Sequence, residues 1–199
     1  MILTVDIGGT NIRCAVVDTE SNRLSHMKTW SRTSGSKVEP HQIKHMIRDY
    51  IKENQNAELQ VEAISIALAG SVDAEGRKVL LSENIGWYDL PLSDLIEGET
   101  GYPTVLETDV ICGAIGEVQG NRALRDKIVA YISMGTGIGH CITIGGKVLL
   151  GDTRSATRLG HLPINSGGPK CYCGKRGCLC QYAAGPSLLE RYMERKTHH

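Results

Sequence analysis

"ILTVDIGGTNIRCAVVD", Ile2 to Asp18, is an apolar run, a glycine corner and a second apolar run. Ile2 to Ile7 is too short for a helix of its own and reads as a buried strand. "IRCAVVD" returns after Gly8 and Gly9, and "LSHMKTW" follows the polar "TESNR", so residues 2 to 30 read as a strand meander with a glycine-rich first corner. The pattern recurs in "KIVAYISMGTGIGHCITIGGKVLL", Lys127 to Leu150: strand, glycine corner, strand, turn, strand. Gly8 and Gly135, and Cys14 and Cys141, share one offset of 127 residues. A strand, a corner and a strand matching in order predict two related halves that face each other, with a ligand cleft between them.

Between the two copies, helical and extended patterns alternate. Ile43, Met46, Ile47, Tyr50 and Ile51 recur at helical spacing after Pro40, which predicts a helix to about Asn54. "AISIALAG" reads as a buried strand, "RKVLLS" as a shorter one, "LSDLIEG" as a short helix, "PTVLETD" as a strand and "VICGAIGEVQ" as a helix. This alternation places the chain in the α/β class. The boundary between lobes is expected within Asp109 to Gly120, giving one lobe over 1–110 and a second over 111–199, with "SRTSGSK" at 31–37 a loop.

A chain of 199 residues can fill one sizeable domain or two small ones. Its 22 basic residues balance 22 acidic ones without a long block of either sign. That argues against a nucleic-acid groove or an anionic membrane surface, and for a small, locally bound ligand. No apolar stretch approaches membrane-spanning length, and Met1 runs straight into an apolar strand without a basic leader, so a cytoplasmic protein is expected.

"DIGGTN", Asp6 to Asn11, puts a carboxylate at a strand end. Gly8 and Gly9 allow backbone N–H groups to approach an anion, and Thr10 and Asn11 can add hydrogen bonds. Alone, such a corner is more often a plain hairpin turn. "SMGTGIG", with Gly135, Thr136 and Gly137, supplies a second glycine-lined pocket. Two such loops can hold successive phosphates of a nucleotide, with Asp6 placed to position Mg²⁺ through water. Neither loop is a Walker A or a GxGxxG sequence, so the nucleotide reading rests on the pair. Asp109, in "LETDV", sits where a strand gives way to a helix. A carboxylate there can accept a hydroxyl proton as the oxygen attacks a γ-phosphoryl group, or can simply cap the helix.

"HLPINSGGPKCYCGKRGCLC", His161 to Cys180, holds four of the seven cysteines. In a reducing compartment, closely spaced cysteines more often bind metal or do redox work than form structural disulfides. His161, Cys171, Cys173 and Cys178 make a Cys₃His donor set suited to tetrahedral Zn²⁺, and Gly174 and Gly177 let the chain wrap the ion. A dithiol redox centre and free thiols are the alternatives, although no pair has C-x-x-C spacing. Cys180, two residues beyond the last of these, reads as small packing.

From Ile2 to about Tyr182 the chain resembles the ROK family of sugar kinases and sugar-responsive repressors, in the actin-like ATPase (ribonuclease H-like) superfamily. The matching pieces are "DIGGTNIRCAVVD", "LETD", "SMGTGIG" and "GHLPINSGGPKCYCGKRGCL". The resemblance implies a two-lobed fold that transfers phosphate from ATP with Mg²⁺ to a hexose or an amino or N-acetyl hexose. Asp109 would be the general base and Asp6 the Mg²⁺-associated carboxylate. His161 would bind Zn²⁺ through one nitrogen and sugar through the other. Gly70, Asn84, Thr108, Asp109, Arg158 and His161 would line the sugar, and the protein would be a homodimer.

The sequence also departs from the family pattern. Thr108 replaces the asparagine of Leu-Glu-Asn-Asp, Arg158 stands in "ATRLGH" where a glutamate binds sugar, and Cys180 takes the place of another glutamate. ROK kinases continue beyond this length with a glycine-rich segment against adenosine and a final helix that returns to the first lobe, so an incomplete second lobe is expected. Repressors of the family carry an N-terminal helix-turn-helix, whereas this chain opens on the first phosphate-loop strand, so DNA binding in its own right is not expected. A catalytically weak, sugar-binding regulatory member is the alternative to an active kinase.

Overall fold

The structure is a computed structural model that describes residues 1–18, 20, 22–23, 25–31, 38–54, 59–154 and 156–197. Past Ser31, the loop expected over 31–37 lies outside the described residues. The chain divides into two compact units, Met1–Asp109 and Val110–His199.

In chain order the first unit holds β1 (Ile2–Ile7), β2 (Asn11–Val17), β3 (Lys28–Ser31), α1 (Pro40–Asn54), β4 (Ala63–Leu68), β5 (Ser71–Val72), β6 (Val79–Ser82), β7 (Trp87–Leu90), α2 (Leu92–Thr100) and β8 (Thr104–Thr108). The main sheet has the order β3-β2-β1-β4-β8. β1, β2 and β3 form the expected antiparallel meander, while β4 and β8 run parallel to β1. Strand alternation decides which face is covered. Leu3, Val5 and Ile7 of β1, Ile64, Ile66 and Leu68 of β4, and Leu106 of β8 join one core with Ile43, Ile47 and Tyr50 of α1 and Leu92 and Ile96 of α2. Lys44 and Arg48 of α1 both reach Glu99 of α2, fixing the two helices side by side.

A small antiparallel sheet, β5-β6-β7, is inserted between β4 and α2. Its β5–β6 turn reaches the outer edge of β8, where Leu106 N–H donates to the Gly76 carbonyl at 2.8 Å. Arg77 clamps that turn. Its guanidinium makes a fork to Glu97 at 2.6 and 2.7 Å, contacts Asp94, and donates to the Thr104 carbonyl at 3.2 Å.

The helix α3 (Asp109–Gly120) starts on the last residue of the first unit. The second unit continues with β9 (Ile128–Met134), β10 (Ile138–Ile144), β11 (Lys147–Val148), α4 (Cys180–Ala183) and α5 (Gly185–Thr197). The three strands form an antiparallel sheet, β11-β10-β9. Ile111 and Ala114 of α3 pack with Cys141 of β10, against Tyr131, Val148 and Leu150. A separate cluster joins Cys171, Cys178, Cys180 and Ala184.

The internal repeat is present as a hairpin followed by a third strand, but its register slips by one residue. In the first copy Val5 opposes Cys14; at the same offset Ile132 should oppose Cys141, whereas Tyr131 does. A one-residue slip turns every side chain of a strand to the other face. Tyr131 therefore faces the core, while Ile128, Ile132 and Met134 are more than half exposed.

Candidate functional site

Three parallel strands position the candidate residues of the first unit. Ile7 pairs with Leu68, and Leu68 with Thr108, so one row crosses the ends of β1, β4 and β8. The Gly8–Asn11 corner, Gly70 and Asp109 all follow that row, at the carboxyl edge where open α/β sheets bind ligands. Gly8 N–H donates to the Asn11 carbonyl at 2.9 Å to close the corner, leaving Gly9 and Thr10 at its tip. Ala69 N–H donates to the Ile7 carbonyl at 3.1 Å, which holds Gly70 beside the same corner. Ser82 is buried and its hydroxyl donates to the Ala69 carbonyl at 2.5 Å. The turn after Ser82 carries exposed Asn84, so this bond ties the segment of Asn84 to the residue before Gly70.

Asp6 is not left to solvent alone. The pairing of β1 with β2 sets Arg13 opposite it, and a guanidinium nitrogen sits 2.9 Å from its carboxylate, with both side chains about two-fifths exposed. Thr108 is buried at the end of β8, its N–H donating to the Glu107 carboxylate at 2.8 Å. Asp109 follows as the first residue of α3, half-buried.

A second group of candidate residues lies in the second unit. Gly135, Thr136 and Gly137 form the corner between β9 and β10, closed by Gly135 N–H donating to the Gly137 carbonyl at 2.9 Å. Gly185 N–H donates to the Gly135 carbonyl at 2.9 Å and ties this corner to the start of α5. Arg158, exposed, precedes a 3-10 turn over Leu159–His161. That turn is pressed onto β10: a Cβ at Gly160 would lie 2.1 Å from the Ile138 carbonyl oxygen. Leu159 N–H donates to Nδ1 of His140 at 3.1 Å, so β10 also holds the turn by a side chain.

His161, Cys171, Cys173 and Cys178 converge, with one ligand atom from each within 4.8 Å of all the others. Two sulfurs bound to a tetrahedral zinc lie about 3.8 Å apart, and a sulfur and an imidazole nitrogen about 3.6 Å. Here Cys173 and Cys178 sulfurs are 3.6 Å apart, and Cys171 Sγ is 3.6 Å from His161 Nδ1. The donor set and its spacing thus fit zinc, with Nδ1 of His161 turned to the cluster. The chain can wrap this point because Gly177 takes φ +64° with the Asn165 carbonyl oxygen 1.6 Å from where a Cβ would stand.

Ionisation is uneven across the thiols. Burial pushes Cys178 up to about 12, reinforced by the neighbouring thiols, and pushes Cys180 up to about 11, reinforced by Cys171. At Cys171 burial also opposes the charge, yet donors from the Cys173 backbone and the thiols of Cys173, Cys180 and Cys178 outweigh it and lower the thiol below its usual value.

Arg13 and His140 went unread in the sequence as neighbours of the candidate residues. Arg13 was accessible from the hairpin register opposite Asp6. His140 depends on a contact with a turn nineteen residues away, for which the sequence carries no local signal.

Comparison with known proteins bears on the whole chain. The sequence profile of the ROK family matches residues 2–199. A glucokinase from Streptomyces coelicolor is 34% identical over 198 residues, covering 100% of this chain and 60% of its own length. A xylose repressor from Bacillus subtilis is 26% identical over 186 residues, covering 94% of this chain and 48% of its own. Among solved structures, a ROK family glucokinase from Streptomyces griseus in complex with glucose and AMPPNP superposes with a TM-score of 0.82 at 34% identity, covering 98% of this chain and 62% of that one. The chain therefore spans about 60% of the length of the glucokinases it matches. With both glycine corners, the carboxylate at the end of β8 and the Cys₃His cluster falling within the matched residues, the chain belongs to the ROK family.

Proposed function

We propose that this chain carries the phosphate loops and sugar loop of a kinase that transfers the γ-phosphoryl group of ATP to a sugar hydroxyl. The observation that supports it best is the row Ile7, Leu68 and Thr108, which delivers a glycine corner, Gly70 and Asp109 to one sheet edge. In this reading Asp109 accepts the hydroxyl proton, while backbone N–H groups of Gly8–Asn11 and Gly135–Gly137 bind phosphates. Thr108, Asn84, Arg158 and Nε2 of His161 contact the sugar. Zn²⁺ held by His161, Cys171, Cys173 and Cys178 fixes the sugar loop. Asp6 would hold Mg²⁺ through water; when bound, Mg²⁺ neutralises phosphate charge, and here Arg13 shares the same carboxylate. Nucleotide use is supported by the AMPPNP-bound glucokinase relative. A positive Arg158 in the sugar loop favours a substrate with an anionic substituent. A homodimer in the cytoplasm is the proposed setting; among the described residues no helix is long and apolar enough to cross a membrane.

The deciding assay is ATP-coupled phosphorylation across neutral, N-acetylated and acidic sugars, with Asp109→Asn as control. Loss of the carboxylate is expected to lower turnover by about 10²–10⁴-fold. Equal turnover in Asp109→Asn overturns the base assignment. Sugar binding without turnover on any substrate selects the regulatory reading, which the xylose repressor relative and the altered positions Thr108, Arg158 and Cys180 favour.

A further inference from the structure

The four cysteines of the zinc loop fall into two close pairs. Cys173 and Cys178 sulfurs are 3.6 Å apart, and Cys171 and Cys180 sulfurs are also 3.6 Å apart. Cys180 is 3% exposed and Cys171 5%, so their contact is internal to the fold rather than a chance surface approach. Cys180 does not belong to the group of four donors that converge on the metal position. A Cys₃His site alone holds an odd number of thiols, and oxidation there leaves one sulfur with no partner. Cys180 makes the number even.

We infer that the loop is a reversible thiol switch, in which a peroxide converts the metal clamp into two disulfides, Cys173–Cys178 and Cys171–Cys180. The inference rests on the metal reading proposed above, with Cys180 as the added element. Cys173 is the more exposed thiol of its pair and the entry point. Its sulfur attacks the peroxide O–O bond and becomes a sulfenic acid as water leaves, and Cys178 then displaces the hydroxyl to close the first disulfide. The site has now lost two ligands and releases Zn²⁺. Cys171 and Cys180 repeat the sequence with a second peroxide. From three zinc-bound thiolates and one thiol, two molecules of hydrogen peroxide and three protons yield two disulfides, four waters and free Zn²⁺. A dithiol reductant reverses both disulfides and restores the donor set.

The test uses the full chain loaded with zinc, treated with hydrogen peroxide, then with dithiothreitol and zinc. Released zinc is read with a chromogenic chelator, and an unreduced tryptic digest is fragmented to assign the links between peptides 171–175 and 177–191. The wild type is expected to release its zinc, to show the Cys171–Cys180 link beside Cys173–Cys178, and to recover nearly all its zinc on reduction. Cys180→Ser is expected to bind zinc at the start and to recover less than half, with Cys171 carrying the mass of a sulfinic acid. Full recovery in Cys180→Ser, or a digest in which Cys171 never links to Cys180, overturns the inference. If the starting protein holds no zinc, the metal reading fails, and the same digest of the metal-free chain still decides the thiol pairing by the presence or absence of the Cys171–Cys180 link.

Discussion

Asp6 and Arg13 face each other across the first hairpin because strand pairing, not sequence proximity, sets their distance. Both side chains are well exposed, so the pair is worth about 1 kcal/mol or less, and Arg13→Met is expected to leave the thermal midpoint almost unchanged. A loss above about 2 kcal/mol in denaturant melts would make Arg13 a structural residue instead. Gly177 is the opposite case. Its φ of +64° and the Asn165 carbonyl 1.6 Å from a built Cβ allow no side chain unless the loop moves. Gly177→Ala is therefore expected to hold much less than one zinc per chain after dialysis against buffered metal, and stoichiometric zinc in that variant would contradict the packing. Such local features differ in legibility. The grouping of Cys171, Cys173 and Cys178 could be read directly, because the three lie close together in the chain, whereas His161 joins them from further upstream. The Arg13 contact needs a register before it can be seen.

Among the elements, α1 was legible because its apolar residues keep one period from Ile43 to Ile51 and all of its buried positions lie on it. β7 was not, for a physical reason: Asp89 takes φ +48° inside the strand, and exposed Tyr88 and Asp89 interrupt any alternation. The short β5 likewise offers two residues and no pattern. The second glycine corner was legible as a corner but not in its register, since composition fixes where a turn falls and pairing fixes which side of β9 turns inward. α2 is closed by its Gly101 C-cap and tied down by the Arg77 fork, while Gly98 lies in its interior with nothing within 4 Å of a built Cβ. Gly98→Ala is expected to stabilise by about 0.5–1 kcal/mol, read as a higher thermal midpoint. The fork has a pH signature. Hydrogen bonds from Arg77, aided by the Thr104 N–H, hold Glu97 down at about 2 against an ordinary 4.5. A depressed carboxyl contributes stability that is full above the unfolded value and disappears as pH falls toward the folded one. Acid unfolding of the wild type should therefore steepen between about pH 4.5 and 2, and Glu97→Gln should flatten that stretch; identical acid limbs would remove the fork from the stability of the first unit.

At the scale of the whole molecule the two units are stabilised differently. The first has one continuous core in which strands β1, β2 and β4 and both helices bury aliphatic side chains. The second has two small clusters, one around Ile111, Ala114 and Cys141 and one around Cys171, Cys178 and Cys180. On its outward side β9 leaves Ile128 76% exposed. The zinc proposed at the Cys₃His cluster would add folding energy to this unit directly. Stripping the metal with a chelator is therefore expected to act on one unit alone. Amide hydrogen exchange should rise across residues 159–197 and spread to β9 and β10, while α1, β1 and β4 keep their protection. A uniform loss of protection over both units would show that the zinc loop supports the whole chain, and unchanged exchange throughout would show that the cysteine cluster holds its shape by packing without a metal.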